Sequence, residues 1–243
     1  MSLNQILVIA LAILLIWWPI GGWINRRRGE AWLNWLQKGT AELGVSSAPM
    51  WLRSFHSVGQ LKLSDLREPF QSVDILFTLE SRDNLIFWLL RHLRGRRDEM
   101  ILQAELYHNP RQEIEVGDKI RRSFDGYLAK QKENPFTQVA DQNGFRIARR
   151  GETDALSIAQ LRRFLAAEGM AIQRLSLQRK DAADQSSNSP RQGKNLLLRA
   201  DMTRMPQDSP AVFFATLRDW VANLDVEKSP VAESKHEEAI NQG

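Results

Sequence analysis

A long run of apolar residues near the N-terminus is the most distinctive pattern in the chain. No charged residue lies between Ile6 and Ile24, and the run ends in a group of tryptophans. At about 1.5 Å per residue, a helix of this length crosses the roughly 30 Å hydrocarbon layer of a bilayer, and indole rings favour its interface. The pattern predicts a transmembrane anchor within residues 1–28, with the characteristic side chains Ile6, Leu11, Leu15, Trp17, Trp18 and Trp23.

Basic residues indicate the orientation of this anchor. Arg26, Arg27 and Arg28 follow the apolar run directly, whereas no lysine or arginine precedes it. The positive-inside rule therefore predicts a single-pass protein of the cell membrane, with its N-terminus outside and the rest in the cytoplasm. The triplet is interpreted as a stop-transfer signal, and contact with anionic lipid headgroups is a second use. A cleaved signal peptide is the alternative, but the apolar run is long and lacks a preceding basic region.

A second helical pattern begins almost where the anchor ends. Residues 30–43 place Trp32, Trp35, Leu36 and Leu43 on one face of a helix. This face is predicted to pack on the core of the domain, and burial among lipid headgroups is the alternative.

Alternating apolar and polar residues predict strands in the middle of the chain. The segments are Val58 to Leu63 and Val73 to Glu80, followed by Met100 to Tyr107 and Gln112 to Val116. Only a few residues, including Asn109-Pro110, separate the last two segments, so they are predicted to form a hairpin.

Between these strands lies a helical pattern that is apolar on nearly every side. It follows a predicted cap at Asp83, contains Trp88, and ends in a basic cluster that comprises Arg91, Arg94, Arg96 and Arg97. One interpretation is a core helix with a solvated basic end. The other is a surface that contacts lipid headgroups or a partner.

Apolar periodicity continues in the second half of the chain. Residues 172–178 and 196–202 alternate as strands do. Two helices are predicted, one beginning near Thr153 and one after an N-cap at Ser209, with Pro210 in its first position. Their inward-facing side chains are predicted to be Ile158, Leu161, Phe164, Leu165, Phe213, Leu217, Trp220, Val221 and Leu224.

Together these elements predict the α+β class, with mainly antiparallel strands and helices packed on one face of the sheet. The predicted boundaries are 1–28 for the anchor, 29–118 for a first half, 119–152 for an irregular connection, 153–225 for a second half and 226–243 for a disordered polar tail. The order helix, strand, strand, helix occurs in residues 30–94 and again in residues 153–224. This recurrence suggests an internal duplication.

Composition excludes several kinds of functional site. The absence of cysteine excludes disulfides, thiolate zinc sites and iron–sulfur clusters. No phosphate-binding glycine loop is present, and the four histidines are scattered without metal-ligand spacing. No cofactor, metal site or catalytic residue is therefore predicted. The carboxylates of the predicted strands are interpreted as cross-strand partners of arginine.

The charge balance and the anchor together give the functional hypotheses. The chain has 33 basic and 29 acidic residues, and its basic clusters lie beside apolar segments without solvent-facing aromatics, so nucleic acid is not an expected partner. The preferred function is a non-enzymatic interaction or scaffold module that is anchored in the bilayer and binds an unidentified protein. The alternative is a lipid-surface or lipid-binding module, and an enzyme of unrecognised type is the third hypothesis.

Overall fold

A computed structural model describes residues 2–46, 48–52, 57–118, 136, 138–142, 144–151, 155–168, 171–179, 194–206 and 208–224. Within these residues, the α-helices are α1 (Leu3–Thr40), α2 (Leu85–Leu93), α3 (Ala155–Glu168) and α4 (Pro210–Ala222). The strands of the described residues are β1 (Val45–Ser46), β2 (Met50–Trp51), β3 (Val58–Ser64), β4 (Phe70–Thr78), β5 (Glu99–Leu106), β6 (Glu113–Asp118), β7 (Gln138–Gln142), β8 (Phe145–Arg150), β9 (Ile172–Leu177) and β10 (Leu196–Asp201).

All of these strands form one antiparallel sheet in the order β1-β3-β4-β5-β10-β9-β6-β8-β7. The short strand β2 pairs with the same strand, β3, as β1 does. The sheet, its helices and the N-terminal apolar helix confirm the predicted α+β class.

The core lies between the sheet and a layer made of α3, α4 and the C-terminal part of α1. Trp35 of α1 packs against Phe214 of α4 with ring centroids 5.7 Å apart. Phe164 of α3 stacks on Trp220 of α4 at 6.0 Å. Trp32 and Trp35 are only 6% and 5% exposed, so the prediction that their face packs on the core is confirmed.

The structure joins the anchor and the following helix into the single helix α1. Two separate elements were expected. The linking residues 25–29 are mostly arginines, which favour helix, and they contain no proline. The consequence is a continuous helical rod from the apolar N-terminal segment into the core of the domain.

The predicted hairpin of β5 and β6 is wrong. β10 and β9 lie between them, because β5 pairs with β4 and β10 whereas β6 pairs with β8 and β9. The buried side chain of Asn195 holds this crossing: its Oδ1 accepts from the Leu106 amide at 3.1 Å, and its Nδ2 donates to Asn109 Oδ1 at 3.2 Å. A short connection therefore joins two strands that are not neighbours.

The second half of the chain follows its predicted elements closely. The inward-facing side chains predicted for α3 and α4 are buried, and Pro210 is in the first turn of α4. Residues 138–142, which were predicted to be irregular, form β7. Residues 119–135, 180–193 and the predicted tail lie outside the described residues.

The internal duplication is not confirmed. Helix α4, the last element of the second predicted repeat, buries Phe213, Phe214, Leu217, Trp220 and Val221 in the core. Helix α2, its counterpart in the first predicted repeat, has no buried residue. The two helices therefore occupy different environments.

Candidate functional site

Helix α1 is a candidate membrane span near the N-terminus, by its length and apolar composition. Five of the six anchor residues predicted from the sequence, all except Trp17, are exposed on the structure. Trp17 is half-buried, because the segment that contains α2 packs against it. We call this contact between α1 and residues 80–98 the junction.

The backbone of the loop before α2 lies directly on α1. The indole N–H of Trp17 donates to the carbonyl oxygen of Arg82 at 2.7 Å. A Cβ atom on Gly21 would lie only 1.9 Å from that same oxygen, so a glycine is required at this position. The Trp17 ring also stacks on Trp88 of α2, with centroids 5.8 Å apart.

A buried cluster of charges completes the junction. The guanidinium of Arg82 donates to Asn25 Oδ1 at 3.0 Å and to both carboxylate oxygens of Asp98 at 3.3 Å. It also lies 3.5 Å from Glu80 Oε2. On the other side of Asp98, Arg28 approaches Oδ2 at 3.3 Å. Buried charges are tolerated when they are paired, and here the pairing ties α1 to the start of β5.

Helix α2 begins one residue later than predicted. Asn84, rather than Asp83, is its N-cap, and Asn84 Oδ1 accepts from the amide of Phe87 at 3.2 Å. Because none of its residues is buried, the core-helix interpretation is wrong. Phe87 is 61% exposed and Leu93 74% exposed, and the large apolar side chains exposed on α2 are Ile86, Phe87, Leu89, Leu90 and Leu93.

Only one edge of α2 takes part in the junction. The Trp88 indole donates to Glu80 Oε2 at 3.3 Å, and His92 Nδ1 lies 3.3 Å from the same oxygen. Arg97 donates to the His92 carbonyl at 3.1 Å. These bonds fix the orientation of α2 and leave its apolar side chains pointing away from the protein.

The structure brings the two predicted basic clusters to the same place. Arg28 pairs with Asp98, and Asp98 directly follows Arg97 in the chain. Arg26 pairs with Glu30 at 3.0 Å, and the guanidinium of Arg27 lies 5.0 Å from the centre of the Trp23 ring. The four arginines of the second cluster, Arg91, Arg94, Arg96 and Arg97, are exposed.

The sheet face opposite the helices is polar. The predicted pairing of strand carboxylates with arginine is confirmed by three cross-strand pairs: Glu113–Arg150 at 2.7 Å, Glu115–Arg174 at 3.1 Å and Glu99–Arg199. The hydrogen bond to Glu99 raises the pKa of Arg199 above its ordinary value. Among the described residues, no group of three histidines or carboxylates is placed to hold a metal ion.

Sequence reasoning found the aromatic and basic residues of the junction and missed its buried polar centre. Asn25 and Arg82 carry no motif, and their roles depend on contacts across 57 residues of chain. A polar Asn25 at the end of an apolar run was the available signal. No protein-family model matches the chain, and no curated protein matches it either.

Proposed function

We propose that the protein is a single-pass protein of the cell membrane whose domain serves as a lipid-surface module. In this proposal α1 spans the bilayer with its N-terminus outside, and α2 lies in the cytoplasmic leaflet beside it. The observation that carries the proposal is the set of exposed apolar side chains on α2, a helix that the stacked pair Trp17 and Trp88 joins to the apolar part of α1.

Energetics favour lipid over water around α2. Fully burying one large apolar side chain contributes about 1.5–3 kcal/mol, and α2 exposes five of them in nine residues. Contiguous apolar patches of this kind are typical of membrane or protein interaction sites. Because the patch borders the candidate span, the bilayer is the surface that covers both at once.

The depth of α2 agrees with this placement. Trp17 precedes Trp23 by six residues, which is about 9 Å along a helix. If Trp23 lies at the membrane interface, Trp88 lies about 9 Å deeper, beside Trp17. Interfacial amphipathic helices lie about 5–10 Å into the boundary between headgroups and acyl chains.

Spin labels on single cysteines test the placement, because the chain has no native cysteine. We would label L89C on α2, I13C on the candidate span and V212C on α4, all at exposed apolar positions, in the full chain in nanodiscs. The L89C label should resemble I13C, being accessible to oxygen and protected from a water-soluble nickel chelate. If L89C is instead as accessible to nickel as V212C, α2 does not lie in lipid.

A second labelling experiment tests the orientation. In intact cells, a membrane-impermeant maleimide should react with S2C, whereas V212C should react only after permeabilisation. The reverse pattern would place the domain outside. A mature chain that lacks residue 2 would instead indicate a cleaved signal peptide.

An interaction or scaffold module is the second candidate function. Its support is a small apolar patch within the polar face of the sheet, where Leu76 lies opposite Ile101 and Leu197 lies on the neighbouring strand β10. All three side chains are half-buried. The partner would be a cytoplasmic protein that covers this face.

Crosslinking of the full chain in its membrane, followed by mass spectrometry, tests this second candidate. A partner bound at the sheet face should be lost with I101E and retained with V212E, which introduces the same charge on α4. Equal retention by both variants would argue against the sheet face as the contact surface.

A further inference from the structure

We infer that the arginines of the junction form a binding surface for anionic phospholipids of the cytoplasmic leaflet. This inference rests on the proposed placement of α2 in lipid and adds the class of lipid that the module selects. The surface, which we call the arginine ring, consists of Arg26, Arg27, Arg28, Arg91, Arg94, Arg96 and Arg97.

The ring is assembled by the fold. Its two parts lie more than sixty residues apart in sequence, and the ion pair of Arg28 with Asp98 places them side by side. The Arg97 guanidinium donates to the carbonyls of His92 and Arg96, at 3.1 and 2.8 Å, and therefore lies at the C-terminal end of α2. The fold thus brings the C-terminal end of the α2 segment beside the basic residues that follow the candidate span.

Most of this charge is not neutralised by the protein. Glu80 and Asp98 are buried and already bonded to Arg82, and Asp98 also pairs with Arg28. Arg26 has an exposed partner in Glu30. Among the described residues, no carboxylate forms an ion pair with the remaining five arginines, which are Arg27, Arg91, Arg94, Arg96 and Arg97.

The position of the ring matches lipid phosphate. Arg26, Arg27 and Arg28 follow Trp23 by three to five residues, which is about 5–8 Å along α1. A guanidinium group binds phosphate through two parallel N–H bonds, and basic residues near a membrane attract anionic lipid. The exposed apolar side chains of α2 beside the ring favour a lipid over an acidic protein or a nucleic acid, because only a lipid presents phosphate and hydrocarbon together.

The test compares two spin-labelled lipids, phosphatidylglycerol and phosphatidylcholine, around the full chain in vesicles of phosphatidylcholine. At low salt we expect the native chain to associate with phosphatidylglycerol at least about fivefold more strongly. In the triple variant R91Q, R94Q and R96Q this preference should fall to less than about twofold. High salt should weaken the preference of the native chain, since exposed charges are screened.

A charge-matched control separates the ring from net charge. The triple variant R162Q, R163Q and R204Q also removes three exposed arginines, from α3 and from the turn after β10. This variant should keep the lipid preference of the native chain. The arginine ring is not an anionic-lipid site if this control loses as much of the lipid preference as the R91Q, R94Q and R96Q variant does. The same conclusion holds if the native chain shows no preference.

The L89C label distinguishes failure of this inference from failure of the proposed function. A label in lipid combined with no preference for phosphatidylglycerol overturns the lipid selectivity and leaves the lipid-surface function standing. A label in water overturns both.

Discussion

At the scale of single residues, the junction depends on charges that the protein itself neutralises. Arg82 is 6% exposed and Asp98 is fully buried. The Asp98 carboxylate accepts from the Glu80 amide at 2.8 Å in addition to its bonds with Arg82, so it joins the loop to the side-chain cluster. Removing one member of such a cluster leaves a buried charge without its partner.

We therefore expect D98N to lower the free energy of unfolding by about 3–5 kcal/mol, because the Arg82 guanidinium would lose its main counter-charge. Denaturant unfolding of the full chain in detergent, followed by tryptophan fluorescence, measures this change. D219N is the matched control, since Asp219 is 67% exposed in its pair with Arg218 and the expected loss is below about 1 kcal/mol. Equal losses in the two variants would contradict the proposed importance of the cluster.

Asn195 is a second single residue on which the topology depends. N195A should lower the free energy of unfolding by about 1–3 kcal/mol, because the buried Leu106 amide would lose its acceptor. N223A provides the comparison, since Asn223 lies at the exposed end of α4 and its side chain donates to the Asp219 carbonyl. An N195A variant no less stable than N223A would show that other bonds hold the crossing.

At the scale of elements, α1 has two different environments along one helix. Its N-terminal part exposes apolar side chains, whereas its C-terminal part packs Trp32, Trp35 and Leu36 into the core. The approach of α4 is close enough that a Cβ atom on Gly39 would lie 2.5 Å from the Phe214 ring. The glycine therefore determines how near the two helices come.

This close approach predicts that G39A destabilises the protein. Alanine favours helix over glycine by about 1 kcal/mol, but overpacking against Phe214 and the Pro210 carbonyl costs about 1–3 kcal/mol. N34A, at an exposed position of the same helix, should be neutral or slightly stabilising. The midpoint of denaturant unfolding compares the two variants, and a G39A variant as stable as N34A would refute the packing argument.

At the scale of the whole molecule, the continuous helix and the junction link the domain firmly to the candidate span. The junction contacts of α1 begin at Trp17, so removal of residues 1–16 leaves all of them in place. If α2 is a second membrane contact, the shortened chain should still bind bilayers through α2 and the arginine ring.

We expect the chain without residues 1–16 to sediment with vesicles that contain phosphatidylglycerol. Replacing Ile86, Leu89 and Leu93 by serine should abolish this binding, because the apolar contact with lipid is lost. The matched control replaces Val45, Met50 and Val212, which are also exposed apolar residues, and should leave binding unchanged. A shortened chain that stays in the supernatant at low salt would contradict a membrane role for α2.

Some features of this protein follow from local periodicity in the amino-acid sequence alone. The apolar run, the alternating strands and the buried faces of α3 and α4 could all be predicted, because a repeat of two or 3.6 residues shows which side of an element avoids water. Composition likewise excluded thiol chemistry. The two clusters of arginine and tryptophan were also identified, each by itself, as candidate contacts with lipid or a partner.

What covers each apolar surface and which strands are neighbours depend instead on contacts between distant parts of the chain. The sequence patterns of α2 and α3 both allow a core helix, yet α3 packs in the core and α2 is exposed, because apolar periodicity does not distinguish a protein core from another apolar environment. β10 and β9 lie between β5 and β6, and the bonds of Asn195 support this order. Asn195 bonds to Asn109, 86 positions away in the chain, and to Leu106, 89 positions away. The same long-range folding buried Arg82 beside Asp98 and assembled the arginine ring from two distant clusters.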